Sequence, residues 1–201
     1  MELLTGLGLA SAAGLNAYIP LLAMGLLARF TELVNLPPGW AWLENGWVMV
    51  IVAVLLTIEV VADKIPALDS VNDAIQTVVR PTAGGIVFGA GTASQTAAVT
   101  DPGAFVTSGQ WIPIAIGVVV ALVMHLTKTA VRPVANVATA GFAAPVLSTV
   151  EDATSVGLVF AAILLPVLVL VVLVLIAWAA FALWRRRRRR AAATSARNMP
   201  A

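Results

Sequence analysis

Residues 57–85 read TIEVVADKIPALDSVNDAIQTVVRPTAGG, and this stretch decides how the chain can fold. It opens at the end of an apolar segment with Glu59 and Asp63, which are four positions apart and therefore share one face of a helix. Pro66 follows shortly after Asp63 and predicts that this helix has ended. The sequence thus places two carboxylates in the last turns of an apolar helix.

A short amphipathic helix is predicted next. Ser70 and Asp73 form an S-x-x-D capping box, in which side chains satisfy the first free backbone N–H groups of a helix. Beyond the box the residues separate onto two faces, an apolar one with Val71, Ile75 and Val78 and a polar one with Asn72, Gln76 and Arg80. A helix of this kind is expected to lie in the cytoplasmic interface of a membrane.

Composition places the chain among polytopic membrane proteins. It is 60% apolar and 11% charged, with a mean hydropathy of +0.97, whereas soluble domains are about 45–50% apolar and about 25% charged. A membrane-spanning helix needs about 20 mainly apolar residues. Six segments meet this requirement, some of them marginally: 3–27, 47–61, 82–100, 111–127, 130–148 and 156–184. The chain has no cysteine, which excludes disulfides and thiolate metal sites.

The six segments alternate in composition. The first, third and fifth are rich in small residues, which let helices approach closely, and the second, fourth and sixth are rich in Val, Leu and Ile, which suit contact with lipid. We therefore predict an all-α fold, a bundle of about six transmembrane helices with small-residue helices inside and aliphatic helices outside. Residues 1–184 form this transmembrane domain, and residues 185–201 are expected to be a basic, disordered cytoplasmic tail.

A five-residue pattern, Val-Arg-Pro-x-Ala, occurs at residues 79–83 and again at residues 131–135. Each copy precedes a small-residue segment and would open a helix, with proline in its first turn. The two copies indicate a possible parallel internal repeat, of a kind that transporters often contain. Two roles stay open for Arg80 and Arg132. They could anchor helix ends at the headgroups, or they could point inward and bind an acidic partner or an anion.

Charge asymmetry predicts the orientation. With six spans and both termini in the cytoplasm, the cytoplasmic loops hold these basic residues: Lys64, Arg80, Lys128, Arg132 and the run from Arg185 to Arg190. The outer loops then hold a single basic residue, Arg29, together with acidic residues that include Glu151 and Asp152. This distribution follows the positive-inside rule, so we expect a multi-pass protein of the cell (inner) membrane.

Polar residues within or beside the spans are the candidates for binding or translocation: Asn16, Glu59, Asp63, Arg80, Gln95 and Arg132. Asn16 interrupts the first segment. Two roles are open for Glu59, because a carboxylate within a span is costly. With Asp63 it could carry a proton or coordinate a cation, or it could pair with Arg80 or Arg132 and stabilise the fold. No metal site is assigned, and His125, the sole histidine, is a weaker candidate for proton relay or metal binding.

Two stretches of the chain resemble a known family. They are ASAAGLNAYIPLL at residues 10–22 and the block already quoted, in which ADKIP at residues 62–66 is the most specific part, together with Asp69, Asp73, Arg80 and Pro81. This pattern resembles the family called domain of unknown function 4126, which comprises small bacterial integral membrane proteins. The likeness covers most of the chain, up to the sixth segment. It implies the fold and the membrane location, and it transfers no catalytic residues.

Three functions are compatible with these observations. The leading hypothesis is a small transporter or channel-like protein for an ion or small solute. The alternative is a non-transporting scaffold or accessory subunit, and the third is a membrane enzyme that acts on lipid. The chain contains no P-loop, dinucleotide fingerprint, G-x-S-x-G elbow or H-E-x-x-H motif, and no cofactor is expected. The expected partners are the lipid bilayer, anionic lipids at Arg185 to Arg190 and, in a homo-oligomer, a second copy. Nucleic acid is not expected.

Burial separates the first two hypotheses. Transport is favoured if Glu59, Arg80 and Arg132 face a cavity that water can enter. The scaffold is favoured if the same residues form closed ion pairs inside a solid bundle.

Overall fold

The computed structural model describes residues 2–92, 109–139 and 143–166, and single positions beyond them at 171, 174, 175, 178, 181 and 185. Within these residues every regular element is a helix, which confirms the predicted all-α class. The elements are α1 (Glu2–Leu15), α2 (Tyr18–Phe30), the 3₁₀ helix η1 (Pro38–Glu44), α3 (Gly46–Ala62), α4 (Pro66–Thr92), α5 (Trp111–Ala138) and α6 (Ala143–Leu164). Gln95 and residues 186–201 lie outside the described part of the chain.

Two of the described helices are long and apolar enough to cross a membrane. They are Trp111–Arg132 within α5, and α6. The pair formed by η1 and α3, bent by 64°, makes a third candidate if it is counted as one span. The structure therefore contains two to three candidate membrane spans in its described residues, and the predicted number of six is not confirmed.

The first predicted span is divided at Asn16, where an interruption was expected. The side-chain oxygen of Asn16 accepts hydrogen bonds from the backbone N–H groups of Tyr18 and Ile19, at 3.1 and 3.2 Å. These N–H groups belong to the first turn of α2, where no preceding turn can supply an acceptor. Asn16 thus ends one helix and helps to begin the next.

Three other predicted boundaries are wrong. α4 begins at Pro66 and runs without a break to Thr92, so the short amphipathic helix and the third span are one helix, and Pro81 lies inside it. α5 continues through residues 128–129, and α6 continues through residues 149–155. Each of these places carries charged residues, and charged residues between two apolar segments are typical of a loop. The helices continue because those charges are neutralised by partners in the interior.

α1 lies at the centre of the bundle and packs against α4, α5 and α6. All its residues from Gly8 to Leu15 are buried. It runs antiparallel to α6, since the Thr5 hydroxyl donates to the Ala162 carbonyl at 2.9 Å and the Ser155 hydroxyl to the Ala12 carbonyl at 3.1 Å. The small residues of α1 allow these close approaches, as predicted for an inner helix.

α3 differs from α1 in burial. It buries Met49 and Glu59 and leaves most of its aliphatic side chains exposed. The predicted distinction between small-residue inner helices and aliphatic outer helices is therefore confirmed for α1 and α3.

α4 and α5 pack against each other in antiparallel directions. Gly84 contacts Gly117 and Ala121, Gly89 contacts Ile114, and towards the other end Arg80 contacts His125. The two Val-Arg-Pro-x-Ala copies lie inside these two helices, so neither copy opens a helix as predicted. This packing does not confirm the parallel internal repeat.

The exposed surface of the bundle is apolar. Large apolar side chains on the outer faces of the described helices include Ile51, Val54 and Ile58 of α3, Val119 and Val123 of α5, and Phe160 and Leu164 of α6. Exposed apolar patches of this extent are not typical of monomeric soluble proteins, in which Arg, Lys, Asp and Glu cover the surface. The distribution agrees with a membrane protein.

The first half of α4 is amphipathic as predicted, but its orientation is opposite to that of a helix lying in the interface. Val71, Ile75 and Val78 are exposed, while Gln76 and Arg80 are buried. The polar face points into the protein and the apolar face points outward. The prediction that this segment lies in the membrane interface is therefore not confirmed, because polar residues of this face have protein partners.

Candidate functional site

One end of the bundle contains a cluster of charged side chains that are almost completely enclosed. Six of them expose between 0% and 5% of their surface: Glu59, Asp63, Arg80, His125, Lys128 and Arg132. Two further carboxylates, Asp73 and Glu151, complete the cluster with side chains that are 17% and 15% exposed. These eight residues, which come from α3, α4, α5, α6 and the turn after α3, are called the charge cluster below.

Arg80 binds Glu59 across the space between α4 and α3. Its Nη2 and Nε atoms donate to Glu59 Oε1 at 2.8 and 3.3 Å. The Arg80 side chain has no exposed surface, so it does not reach the headgroups as an anchor would. Of the two roles that the sequence left open, the inward one is present, and its acidic partner is Glu59.

Asp63 is the carboxylate that three cations share. Its Oδ2 atom lies 2.9 Å from Lys128 Nζ, 3.2 Å from Arg132 Nη2 and 3.6 Å from Arg80 Nη2. Its Oδ1 atom accepts from Asn72 Nδ2 at 2.6 Å. Burial alone would raise the pKa of this carboxyl, but the three cations hold the pKa below its ordinary value.

Glu151 brings α6 into the cluster. Its carboxylate binds Arg132 through both oxygens, with Nε donating to Oε1 at 3.2 Å and Nη2 to Oε2. Lys128 Nζ lies 3.0 Å from the same Oε2 atom. The orientation predicted from the sequence placed Glu151 in an outer loop and both cations in cytoplasmic loops. That placement is wrong, since groups in direct contact cannot lie on opposite sides of a membrane.

Asn16 lies at the margin of the charge cluster. Its Nδ2 atom donates to Asp152 Oδ1 at 2.9 Å, and the other oxygen of Asp152 lies 3.8 Å from Lys64 Nζ. Lys128 Nζ also donates to the Leu15 carbonyl at 3.3 Å, at the end of α1. The Leu15 carbonyl at the end of α1 therefore lies at the same level of the bundle as the charged residues of α5 and α6.

His125 extends the network through a chain of hydrogen bonds whose direction can be worked out. A guanidinium group only donates, so His125 Nδ1 accepts from Arg80 Nη1 at 3.0 Å. Thr77 Oγ1 donates to the Asp73 carbonyl at 2.9 Å, so it accepts from His125 Nε2 at 3.0 Å. An imidazole with one donating and one accepting nitrogen is neutral. His125 therefore adds no charge to the cluster.

The cluster holds more negative than positive groups. Four carboxylates (Glu59, Asp63, Asp73, Glu151) face three cations (Arg80, Lys128, Arg132), which leaves one negative charge when all of them are ionised. Within the described part of the chain, three buried oxygen atoms in or beside the cluster have no hydrogen-bond donor: Glu59 Oε2, Asp73 Oδ1 and Gln76 Oε1. Buried polar atoms normally have partners, so these three atoms mark where the network is incomplete.

Four of the six residues predicted from the sequence meet in this cluster: Glu59, Asp63, Arg80 and Arg132. Asn16 is connected to it at the margin, and Gln95 lies outside the described residues. Sequence reasoning missed Lys128 and Glu151 as members of the site. Lys128 could have been found, because His125, Lys128 and Arg132 recur at helical spacing on one face.

Two cavities of about 200 Å³ each lie elsewhere in the described part. One is lined by residues that include Thr5, Asn35 and Gly91, and the other by apolar residues of α2, α3 and α6. Neither is lined by a member of the charge cluster. Among the described residues, no group of three or more His, Cys, Asp or Glu side chains is arranged to hold a metal ion.

Comparison with known proteins identifies the family. The family described as domain of unknown function (DUF4126) matches residues 3–186. The chain belongs to this family. The resemblance drawn from ADKIP, Asp73, Arg80 and Pro81 is therefore confirmed, and three of the charge-cluster residues, Asp63, Asp73 and Arg80, fall in that block. No curated protein and no solved structure matches the chain.

Proposed function

We propose that the chain is a non-transporting membrane scaffold or accessory subunit, in which the charge cluster fixes the positions of the helices. The observation that supports this function is closure. Glu59, Arg80 and Arg132 expose 1%, 0% and 2% of their surface and are bound to protein partners. Charged groups that serve a solute path face water-filled cavities, whereas these side chains are bound to protein partners within a packed bundle.

The cluster is suited to selecting one helix arrangement. It joins the end of α3 to α4, α5 and α6, and through the Leu15 carbonyl it also holds α1. A buried ion pair contributes little net stability, but breaking one leaves an unpaired charge in a poor solvent, at a cost of about 3–5 kcal/mol. Alternative packings of the same helices are therefore strongly disfavoured.

A bundle held in this way offers its outer surface to other molecules. The exposed faces of α3 and α5 are aliphatic, which suits lipid or a neighbouring transmembrane helix. The partners remain those predicted from the sequence: the bilayer, anionic lipids at the arginine run that begins at Arg185, and a second copy of the chain. The multi-pass location in the cell (inner) membrane is likewise part of this proposal.

Flux measurements in liposomes test the absence of transport. The purified chain is reconstituted, and the movement of protons, sodium, potassium, chloride and phosphate is recorded against empty liposomes, with an ionophore to show that the vesicles are sealed. We expect no flux above that of the empty liposomes for any of these solutes. Flux of any solute would overturn the proposal, and its loss in Glu59→Gln or Arg80→Ala would assign the path to the charge cluster.

A second candidate, a proton-coupled transporter, is favoured by one specific observation. The charge cluster has one more carboxylate than cations, and Glu59 Oε2 has no donor. In this case the closed cluster would be the occluded state of a carrier in which Glu59 exchanges a proton. A pH gradient imposed on the same liposomes tests it. Proton flux that Glu59→Gln abolishes and that the marginal variant Lys64→Ala leaves unchanged would support transport and reject the scaffold.

No observation favours the lipid-acting enzyme. Such an enzyme would use carboxylates that include Glu59, Asp63 and Asp73 around a divalent metal, whereas Glu59 is bound by Arg80 and Asp63 by Lys128 and Arg132. We therefore do not propose it.

A further inference from the structure

The charge cluster has an electrostatic imbalance that its own residues do not correct. Its four carboxylates and three cations sum to one negative charge, because the hydrogen bonds of His125 make the imidazole neutral. An uncompensated charge away from water is very costly, and buried groups usually respond by changing protonation state. One additional positive charge must therefore accompany the cluster, either a proton or a cation.

The hydrogen-bond pattern of the four carboxylates shows where that charge belongs. Asp63 and Glu151 each have donors on both oxygens. Asp73 lacks a donor on Oδ1, but this atom lies 3.8 Å from Arg80 Nη1 and its side chain is partly exposed. Glu59 is 1% exposed, and it receives both Arg80 bonds on Oε1 and none on Oε2. Among the four carboxylates, Glu59 is thus the one whose side chain is almost fully buried and carries an oxygen without a hydrogen-bond donor.

The surroundings of Glu59 suit a proton better than a metal ion. Arg80 of α4 and Lys128 of α5 are the cations that act on it, Asp63 is the carboxylate that acts on it, and Tyr18 of α2 interacts with it electrostatically. From α6, Glu151 reaches the cluster only on the far side of Lys128 and Arg132. A metal ion at Glu59 would lie beside a guanidinium group, whereas a proton adds no bulk.

A second buried acceptor without a donor lies on the same face of α4 as Arg80. Gln76 precedes Arg80 by one helical turn on the same face of α4, and its buried Oε1 atom has no donor. Both Gln76 and Glu59 interact with the Tyr18 hydroxyl. Protonation of Glu59 would convert a bare acceptor into a donor, and it would bring the charge sum of the cluster to zero.

From this geometry we infer that Glu59 Oε2 is a proton-binding site that is occupied in the folded protein at neutral pH. The Oε1 atom keeps its two bonds from Arg80, and the bound proton lies on Oε2. The site does not depend on whether the protein transports a solute, because a scaffold with this cluster needs the same proton.

Infrared spectroscopy of the purified protein in lipid at neutral pH tests the site. A protonated carboxyl group has a C=O stretching band that a carboxylate lacks, and the band shifts when H₂O is replaced by D₂O. We expect this band in the wild-type chain, its absence in Glu59→Gln and its persistence in Glu32→Gln, which removes an exposed carboxylate outside the charge cluster. A wild-type spectrum without the band would overturn the proposal, as would a band that persists in Glu59→Gln.

Folding of the variants provides a second measurement. Glutamine reproduces the shape of a protonated glutamate and keeps the oxygen that Arg80 binds, so Glu59→Gln should unfold within a few degrees of the wild-type temperature. Asp63→Asn serves as the matched variant. It should unfold at a clearly lower temperature, because the three cations around Asp63 need its negative charge. Misfolding of Glu59→Gln, or equal losses in the two variants, would show that Glu59 is required as an anion. The outcome of the flux measurements is independent of the infrared and unfolding results, because a scaffold and a transporter would both need the proton on Glu59.

Discussion

α4 meets α5 through two stretches of contrasting chemistry. From Gly84 to Gly89, glycines bring the two backbones so close that a methyl group at Gly84 would collide with Ala121. From Asp73 to Arg80, one to three turns away, the same two helices are joined by hydrogen bonds of His125 with Arg80 and Thr77. They are also joined through Asp63, which lies between Arg80 and Lys128. In one stretch side chains are absent, and in the other long charged side chains fill the space.

The two stretches are sensitive to different changes. Close glycine packing depends on volume, because attractive contacts between helices in lipid require short distances. The charge cluster depends on balance, because removing one partner leaves another charge buried. Substitutions in the two stretches should therefore differ in which property matters and in whether a second substitution can restore stability.

The largest effect is expected at Asp63. In Asp63→Ala the cations Lys128, Arg132 and Arg80 lose the carboxylate they share, and the free energy of unfolding should fall by about 3–5 kcal/mol. Reversible denaturation in lipid bicelles, followed by circular dichroism, measures the change. The exposed Glu32→Ala provides the control, with a change of less than about 0.5 kcal/mol.

A compensating variant sharpens this result. Lys128 Nζ lies 2.9 Å from Asp63 Oδ2, so the double variant Asp63→Asn, Lys128→Met removes one charge of each sign. It should be more stable than Asp63→Asn alone, since removing both members of a buried pair costs less than removing one. If the double variant lost as much stability as the two single variants together, charge balance would not govern this end of the contact between α4 and α5.

An intermediate effect is expected at Gly117. A methyl group there would overlap the Gly84 carbonyl and the Phe88 Cβ atom, and overpacking of this kind costs about 1–3 kcal/mol. Gly157→Ala is the matched control, because a methyl group at Gly157 would meet no atom within 4 Å. That control should stabilise its helix by about 0.5–1 kcal/mol, so the two alanine variants should shift the unfolding midpoint in opposite directions. If both variants shifted the midpoint in the same direction, close packing at Gly117 would not explain the effect.

The smallest effect is expected at Lys64. Its Nζ atom lies 3.8 Å from Asp152, and the side chain is 37% exposed. Because exposed ion pairs contribute about 0–1 kcal/mol, Lys64→Ala should lower the free energy of unfolding by less than about 1 kcal/mol in the same bicelle measurement. A loss as large as that of Asp63→Ala would mean that charge matters in this chain irrespective of burial.

The sequence predicts the helical class, the inner position of α1 and the pairing of Glu59 with Arg80, because each follows from local composition or from the cost of a charge in an apolar segment. It does not predict where helices end. Pro81 reads as the first turn of a helix, yet it lies inside α4, and the partners of the preceding Arg80 are 21 and 45 residues away in the chain. Glu151 and Asp152 read as a loop for the same reason. A charge in a buried helix and a charge in a loop look alike until the partner is known.

The long separations within the charge cluster have a consequence for biosynthesis. Asp63 precedes its partners Lys128 and Arg132 by 65 and 69 residues, and Asn16 precedes Asp152 by 136. While the ribosome is still making α5, the emerged part of the cluster has three carboxylates and one cation, Arg80. The nascent chain therefore enters the bilayer with an excess of negative charge at one depth. Assembly of this end must wait for the C-terminal helices, and chains truncated before Lys128 should be recognised and degraded as incomplete.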